Sequence, residues 1–495
     1  MMTRSAATST GAVAGAVAQR VSVLEPLAPG TAVDGAAEPP SGTPPARRRP
    51  VRQARGRLRE RLAAPGPAVA LSVLGVLLTA LVAAASPNDH TLDLRMPLAL
   101  LPALPRAASS CVVGAAVAAQ GLGLLGMLTA LERGWRPAPR RLLAAGAVAV
   151  ALLVCLTPVG SADTGSYAAY GRIAALGGDP YRSTPADLGG GYAALVGRSW
   201  LHTPSVYGPV ATWIEQAAAT VGGGRPWLTV WLLMLANGAA FLLTGLLLVR
   251  IAGDRSHAAL LWAANPLLIG QLVAGGHVDT WVALPAVAAL AVPTGGARTG
   301  APAGGVRPWS DLLVGVLLGL ACGVKVSALL LLAGLVRPAL RAGDWPSALR
   351  RTSACLLTVA ALYSGYGLHA LAPLTTAAGL VSAPSLWEAA QWVGRATAGP
   401  AVTAAVIGAA WPVLLLVFAG LLHRRLRDRA SAAVAATFAL GFGWLLAAPW
   451  AMPWYSAAVW PSAALAPRSR ITRWLVLVTM ALALVHNTGD RGWTL

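Results

Sequence analysis

The sequence contains a series of long apolar stretches, and this feature limits the possible folds more than any other. From Leu71 onward, stretches of about 17 to 25 apolar residues recur, and about 20 residues of helix cross the roughly 30 Å hydrocarbon core of a bilayer. Charged residues make up 11% of the chain, against about 25% in a typical soluble domain. The sequence therefore excludes a soluble globular protein and predicts an all-α polytopic membrane protein.

The apolar stretches also give an approximate number of membrane crossings. Candidate spans lie at about 68–86, 107–130, 142–160, 227–250, 257–275, 279–293, 353–372, 401–423, 431–449 and 471–487. Three shorter pieces lie near 311–322, 325–337 and 454–466, and pieces of this length favour broken or re-entrant helices. The prediction is about 11–13 transmembrane helices with a large extracytoplasmic loop at about 161–225.

The N-terminal region differs from the rest of the chain. Residues 1–66 are rich in Ala, Pro, Gly and Arg and have no apolar helical period, which predicts a disordered basic tail. The first good apolar stretch starts near Ala68, too far along the chain for a cleaved secretory signal. We therefore expect a cytoplasmic tail at 1–66 and a transmembrane catalytic domain at 67–495.

The charge distribution predicts the orientation in the cell membrane. With the N-terminus inside, 29 of the 37 arginines fall on the tail and the inner loops, as the positive-inside rule requires. Of the 14 acidic residues beyond the tail, nine lie on the outer side, so carboxylate chemistry is expected there. The net charge of +20 is attributed to contact with anionic membrane lipids and not to nucleic-acid binding.

The loop at about 161–225 is unusually rich in Asp, Tyr, Arg and Trp. Asp163 follows the end of a span, where it is either a general base for an acceptor hydroxyl or the N-cap of the next helix. Tyr181 and Tyr207 lie in turn-forming sequences, so they either complete loop geometry or offer a platform for a sugar. Both pairs of alternatives remain open at this point.

Lys325 is the only lysine in the chain and lies between two short apolar pieces. An ionisable residue in such a place is a candidate functional residue, and an ammonium group can hold a lipid phosphate. The alternative is that the side chain extends to the nearer interface without binding a ligand. Arg172 and His277 are further cationic candidates for the same phosphate.

His277 and Asp279 flank Val278 at an outer turn between two candidate spans. They either share a polar site or serve only to start the next helix, and two candidate ligands are weak evidence for a metal. No cofactor is therefore predicted.

A group of aromatic residues near an outer interface fits an interfacial belt or an acceptor groove: Trp450, Trp454, Tyr455 and Trp460.

The order of these residues along the chain resembles one enzyme family. About 68–470 is similar to the actinobacterial polyprenol-phosphate-mannose-dependent α-1,6-mannosyltransferases of the MptA/MptB type. The similarity depends on Asp163 to Arg172, Asp179-Pro180-Tyr181, Thr203-Pro204, Tyr207-Gly208-Pro209, Asn265-Pro266, His277 with Asp279, Lys325 and Pro453-Trp454-Tyr455. Two departures are Gly165, where the family leads us to expect tyrosine, and Val278, where asparagine is common.

The resemblance implies a GT-C membrane glycosyltransferase with an extracytoplasmic active site and a lipid-phosphate sugar donor. It maps the catalytic carboxylate onto Asp163. The expected activity is transfer of mannose from polyprenyl-phosphate mannose to the α-1,6-mannan of a lipoglycan on the outer face. The alternatives are a GT-C transferase with another lipid-linked sugar, such as arabinose, and a solute or lipid transporter.

Overall fold

Helices form almost all of the regular structure in the computed structural model, which describes residues 65–293, 308–382 and 385–486. Within these ranges the one β-type pairing is an isolated bridge between Thr91 and Val159. The predicted all-α class is therefore confirmed. The predicted tail lies outside the described residues except for its last two positions, which begin the first helix, and the division at 66/67 stays a prediction.

The helices of the first described range are numbered in chain order. They are α1 (Pro65–Ala84), α2 (Arg106–Glu132), α3 (Pro139–Leu153), α4 (Asp163–Ala175), α5 (Pro185–Leu188), α6 (Gly190–Ala193), α7 (Pro209–Gly222), α8 (Pro226–Ile251), α9 (Arg255–Leu261), α10 (Pro266–Leu268) and α11 (Asp279–Ala291). A π-helical turn, Ile269–Val273, follows α10.

The later ranges contain α12 (Pro308–Val324), α13 (Leu329–Arg341), α14 (Trp345–Ser364), α15 (Ala372–Ala378), α16 (Leu386–Thr397), α17 (Pro400–Leu426), α18 (Ala432–Ala447), α19 (Trp460–Leu465) and α20 (Arg470–His486). Three 3₁₀ turns, Val326–Ala328, Leu368–Leu371 and Pro453–Ala458, connect them.

Several helices have the length and composition of membrane spans. By these two criteria, α1, α2, α8 and α17 qualify among the described residues, and α14 with Leu368–Thr375 forms a further candidate bent by 112°. Three shorter helices, α11, α12 and α18, are also apolar. These helices fit a multi-pass membrane protein, and the count of about 11–13 crossings stays a prediction.

The predicted span at 257–275 is not a continuous helix. It breaks between α9 and α10 at Asn265-Pro266, because proline has no N–H to donate and disfavours a helical residue before it. The Asn265 side chain satisfies the freed backbone groups: its Nδ2 donates to the Leu261 carbonyl and its Oδ1 accepts from the Leu267 and Leu268 amides. Residues 257–263 and 265–275 are buried, and broken helices are tolerated at membrane depth when protein covers them.

A buried ion cluster fixes the start of α12 to that of α14. Asp311 is fully buried and accepts from Arg351 Nε at 2.8 Å and from Arg350 Nη2 at 2.7 Å. Arg351 Nη1 also donates to the Leu335 carbonyl of α13. Both arginines belong to α14, and α12 runs from this cluster to Val324, the residue before Lys325.

Asp311→Asn should destabilise the protein strongly. The change leaves the buried Arg351 guanidinium without its counter-charge, and breaking a buried ion pair in this way costs about 3–5 kcal/mol. Thermal unfolding of the purified protein in detergent micelles would measure the loss. The control is Asp428→Asn, which breaks the exposed Arg427–Asp428 pair and should change the midpoint little. Equal midpoints for the two variants would contradict the structural role of Asp311.

Candidate functional site

Side chains from five separate parts of the chain meet where several helices begin or end. Asp163 and Tyr167 lie on α4, Tyr207 precedes α7, and His277 and Asp279 lie at the start of α11. Lys325 follows α12, and Trp454 and Tyr455 belong to the turn Pro453–Ala458. We refer to this set as the candidate site: Asp163, Tyr167, Tyr207, His277, Asp279, Lys325, Trp454 and Tyr455.

The Asp163 carboxylate faces His277. Asp163 Oδ2 lies 3.2 Å from His277 Nδ1, and the Tyr167 hydroxyl donates to the same oxygen at 3.3 Å. The side chain of Asp163 is 15% exposed, whereas that of His277 is only 1% exposed. Of the two groups, Asp163 is therefore the one that a molecule from outside can reach.

The alternative capping role of Asp163 is not observed. The N-cap of α4 is Ala162 and has no side-chain cap bond, and Asp163 is the first residue of the helix itself. Asp279 likewise is the first residue of α11, where Val278 is the N-cap. At a first helical position each carboxylate lies near the positive end of a helix dipole.

A tight turn holds His277 in place. Asn237 of α8 donates from Nδ2 to the His277 carbonyl at 2.6 Å and to the Thr280 hydroxyl at 3.2 Å. Gly276 has a φ of 66°, a conformation that glycine adopts without steric cost, and a Cβ there would lie 2.8 Å from Thr164 Oγ1. Asn237 was missed from the sequence because an asparagine inside an apolar helix gives no sign of its partner.

Lys325 forms an ion pair with Asp279. Its Nζ lies 3.0 Å from both carboxylate oxygens, and the two side chains are 14% and 9% exposed. The same Nζ lies 3.8 Å from the ring centre of Tyr455, close enough for a cation–π interaction. The lysine is therefore directed into the protein and does not extend to an interface, so the snorkelling alternative is wrong.

The turn Pro453–Ala458 places one aromatic ring against His277 and another against Lys325. Trp454 stacks on His277 with ring centres 3.8 Å apart and an interplanar angle of 12°, while Tyr455 lies over Lys325. Trp454 is 6% exposed and Trp460 is fully buried. These two tryptophans therefore do not belong to a lipid-facing belt.

The other predicted substrate-binding residues differ in position. Tyr207 packs edge-on against Tyr167 at 5.0 Å, and the next amide, Gly208 N–H, donates to the Val324 carbonyl beside Lys325. Tyr181 bonds to Thr212 and packs against Tyr366 instead. Arg172 lies 5.9 Å over the ring of Tyr192. The structure thus brings Tyr207 to the candidate site and places Arg172 and Tyr181 elsewhere.

Another carboxyl group near α4 differs sharply from Asp163. Glu215 of α7 is fully buried, and neither of its oxygens has a hydrogen-bond partner. Burial raises the pKa of this carboxyl well above its ordinary value. Because Glu215 is fully buried, an incoming hydroxyl cannot reach it.

No group of three or more His, Cys, Asp or Glu side chains is placed to hold a metal ion in the described part of the chain. His277 and Asp279 do not contact each other as a pair of ligands, since His277 faces Asp163 and Asp279 is bound by Lys325. The absence of a cofactor stays a prediction.

The structure explains one departure from the expected family pattern. A Cβ at Gly165 would lie 2.3 Å from the Leu195 carbonyl oxygen, a distance that no real Cβ contact allows. The first turn of α4 therefore packs directly against the loop backbone. Tyrosine at this position would require Leu195 to move away.

Comparisons with known proteins agree on one family. The family described as α-(1→6)-mannopyranosyltransferase, N-terminal domain, matches residues 69–341. That range contains Asp163, Tyr207, His277, Asp279 and Lys325. No solved structure matches the chain.

Three curated relatives share about a third of their residues with this chain over a limited stretch. An α-(1→6)-mannopyranosyltransferase of Mycobacterium tuberculosis is 36% identical over 132 residues, which is 25% of this chain and 22% of the relative. A probable α-(1→6)-mannopyranosyltransferase of Mycolicibacterium smegmatis is 36% identical over 135 residues, 25% of this chain and 24% of the relative. α-(1→6)-Mannopyranosyltransferase A of Corynebacterium glutamicum is 31% identical over 132 residues, which is 26% of this chain and 27% of the relative. The chain thus spans about a quarter of the length of the curated relatives it matches.

The ion pair predicts strong coupling between Lys325 and Asp279. Lys325→Met leaves the nearly buried Asp279 carboxylate unpaired, while adding Asp279→Asn removes that charge. The double variant should therefore lose less stability than the two single variants lose together, with a coupling free energy of about 0.5–3 kcal/mol. Thermal unfolding in micelles would give the four midpoints. As a control, the same cycle on the more exposed Asp89–Arg106 pair should show a smaller coupling free energy. Additive stability losses for the Lys325 and Asp279 variants would contradict the pairing.

Proposed function

Because the chain belongs to the α-(1→6)-mannopyranosyltransferase family, we propose that it transfers a mannosyl group from polyprenyl-phosphate mannose to a 6-hydroxyl of an α-1,6-mannan acceptor. The observation that carries the proposal is that an accessible carboxylate, Asp163, lies in the same group of residues as the ammonium of Lys325, which follows the apolar helix α12. A glycosyl transfer from a lipid phosphate needs both a proton acceptor and positive charge for the departing phosphate.

In the proposed reaction, Asp163 is the general base. It takes the proton of the acceptor 6-hydroxyl while the hydroxyl oxygen forms a bond to C1 of mannose. The bond from C1 to the phosphate oxygen breaks, and its electron pair leaves with the polyprenyl phosphate. A single displacement of this kind inverts the configuration at C1.

His277 is a positioning residue in this scheme. Its ring is held by Trp454 and by the turn that Asn237 fixes, and it faces Asp163 Oδ2 at 3.2 Å. A ring that is only 1% exposed cannot itself meet a bulky acceptor, but it sets the direction in which the carboxylate points. Asp279, the reserve candidate for the base, is occupied by Lys325.

Lys325 is proposed to stabilise the leaving phosphate. Its ammonium group is held between Asp279 and the Tyr455 ring, so it needs little rearrangement as charge develops, which is the basis of electrostatic catalysis. Arg172 is not part of this arrangement because it stacks on Tyr192. The proposed reaction proceeds without a metal ion.

The membrane setting supports a lipid-linked donor. Two helices that end at the candidate site, α11 and α12, are apolar, and the polyprenyl chain of such a donor would lie in the hydrocarbon layer beside helices of this kind. We propose that the site faces the extracytoplasmic side of the cell membrane and the arginine-rich helix ends face the cytoplasm, as the positive-inside rule favours. A donor screen with polyprenyl-phosphate mannose, a lipid-linked arabinose and a nucleotide sugar tests the choice of donor.

Asp163→Asn should reduce turnover by about 10²–10⁴ with little change in expression, because the amide cannot accept the proton. The assay measures transfer of radiolabelled mannose from polyprenyl-phosphate mannose to a short α-1,6-mannoside in membranes. Asp187→Asn is a matched control, since Asp187 only caps the short helix α5, and it should retain normal activity. If the Asp163→Asn protein kept more than about a third of the normal rate, Asp163 would not be the base.

Lys325→Met should weaken use of the donor and leave acceptor binding nearly unchanged. Methionine keeps an apolar side chain of similar length and removes the charge, so the loss of donor kcat/KM reports electrostatics. Because the variant leaves Asp279 unpaired, the Lys325→Met/Asp279→Asn protein is measured beside it. Both variants should show a lower kcat/KM for the donor. The unmodified enzyme should remain active in excess chelator, because the proposed reaction uses no metal ion. Equal losses for donor and acceptor would argue against phosphate contact.

A further inference from the structure

A second polar cluster lies on the loop that follows α4. Asp179 Oδ2 is 2.6 Å from His369 Nε2, and Arg182 Nη2 is 3.3 Å from His369 Nδ1. Arginine can only donate, so Nδ1 accepts and Nε2 carries the proton that is donated to Asp179. The cluster joins two segments 190 residues apart in sequence, and we refer to Asp179, Arg182 and His369 as the outer cluster.

Aromatic rings lie beside the outer cluster. Tyr181, the neighbour of Asp179 and Arg182, packs edge-on against Tyr366 with ring centres 4.9 Å apart. Tyr366 also interacts through its hydroxyl with Trp213 of α7, and Trp213 is 47% exposed. A carboxylate, a guanidinium group and a partly exposed indole are thus available on one surface.

Backbone hydrogen bonds link the chain beside the outer cluster to the chain beside Lys325. The carbonyl of Pro180 accepts from the Ser205 amide, and three residues further on, the Gly208 amide donates to the Val324 carbonyl next to Lys325. Three residues of extended chain span at most about 10 Å. The backbone contacts beside Asp179 and beside Lys325 are therefore near each other, which suits an acceptor of several sugar units.

We infer that the outer cluster and Trp213 form a subsite that binds the acceptor glycan at a sugar unit beyond the one that reacts. Carboxylate and guanidinium groups make paired hydrogen bonds to neighbouring hydroxyls, and a partly exposed indole offers an apolar face for a pyranose ring. This inference rests on the proposed function, since it assigns the acceptor of that same reaction.

Other polar groups of this region are already engaged. Asp187 is used in a capping box with Thr184, and Arg172 stacks on Tyr192. The outer-cluster side chains combine a shared position with accessible surface: those of Asp179 and His369 are 31% and 30% exposed, and that of Arg182 is 70% exposed. Partly exposed ion pairs contribute little to stability, so their loss should leave the fold intact.

The test compares Asp179→Asn, Arg182→Gln and His369→Gln with the control Arg225→Gln, which removes an exposed positive charge at the N-cap of α8. Initial rates are measured with polyprenyl-phosphate mannose and with α-1,6-mannosides of two and six units. Each outer-cluster variant should raise KM for the six-unit acceptor about tenfold, leave KM for the donor within about twofold, and change the two-unit reaction little. Arg225→Gln should behave like the unmodified enzyme.

The outcomes separate the two proposals. Normal KM values for both acceptors in all three variants, or equal changes for donor and acceptor, would overturn the subsite while leaving the transferase assignment intact. An unmodified enzyme that neither transfers mannose to these acceptors nor binds them in equilibrium dialysis would overturn the proposed function, and the subsite with it. Unfolding midpoints within about 2 °C of the unmodified protein would show that the variants fold. Lower midpoints together with equally reduced kcat for both acceptors would assign the outer cluster a structural role and overturn the subsite.

Discussion

The Lys325–Asp279 ion pair is the contact on which the arrangement of the candidate site depends. Charges at the ends of apolar helices are costly unless they are paired and hydrogen-bonded. The pair satisfies this requirement with both carboxylate oxygens at 3.0 Å from Nζ, and it fixes the end of α12 to the start of α11. Because Val278 alone separates Asp279 from His277, the same pair sets where the His277 ring can lie, and that ring in turn faces Asp163.

Helix breaks create the space in which these residues meet. The chain is interrupted at Asn265-Pro266 and turns at Gly276 before α11 begins. A further break at Lys325 separates α12 from α13. Each break leaves backbone groups that need partners, and side chains such as Asn265 and Asn237 supply them. The irregular backbone is therefore stabilised by specific polar contacts, and these contacts limit how far the side chains of the site can move.

The individual site residues were more predictable from the sequence than their partners. Asp163, His277, Asp279 and Lys325 were recognisable because ionisable residues beside long apolar stretches are rare. Their pairing was not predictable. His277 and Asp279 are only two residues apart, yet His277 contacts a side chain 114 residues away and Asp279 contacts one 46 residues away. Such contacts depend on how α4, α11 and α12 pack, which apolar periodicity does not specify.

Helix geometry accounts for the position of Arg172. It lies nine residues after Asp163 on the same helix, which corresponds to two and a half turns and about 13 Å of rise, so the two side chains point in opposite directions. Tyr167, only four residues from Asp163, lies on the same face. The spans were likewise predictable in composition but not in continuity: 257–275 is apolar throughout most of its length, yet one Asn-Pro pair divides it.

The two carboxylates of the candidate site share a local setting, and tertiary contacts give them different roles. Each is the first residue of a helix, and each faces one basic side chain, His277 or Lys325. The difference is in what covers them. Asp279 has both oxygens bound by Lys325, which lies beneath the Tyr455 ring, whereas Asp163 contacts His277 and Tyr167 through Oδ2. A general base needs an oxygen within hydrogen-bond reach of the substrate, so in the proposed reaction the acceptor approaches from the side of Asp163 and the phosphate from the side of Lys325.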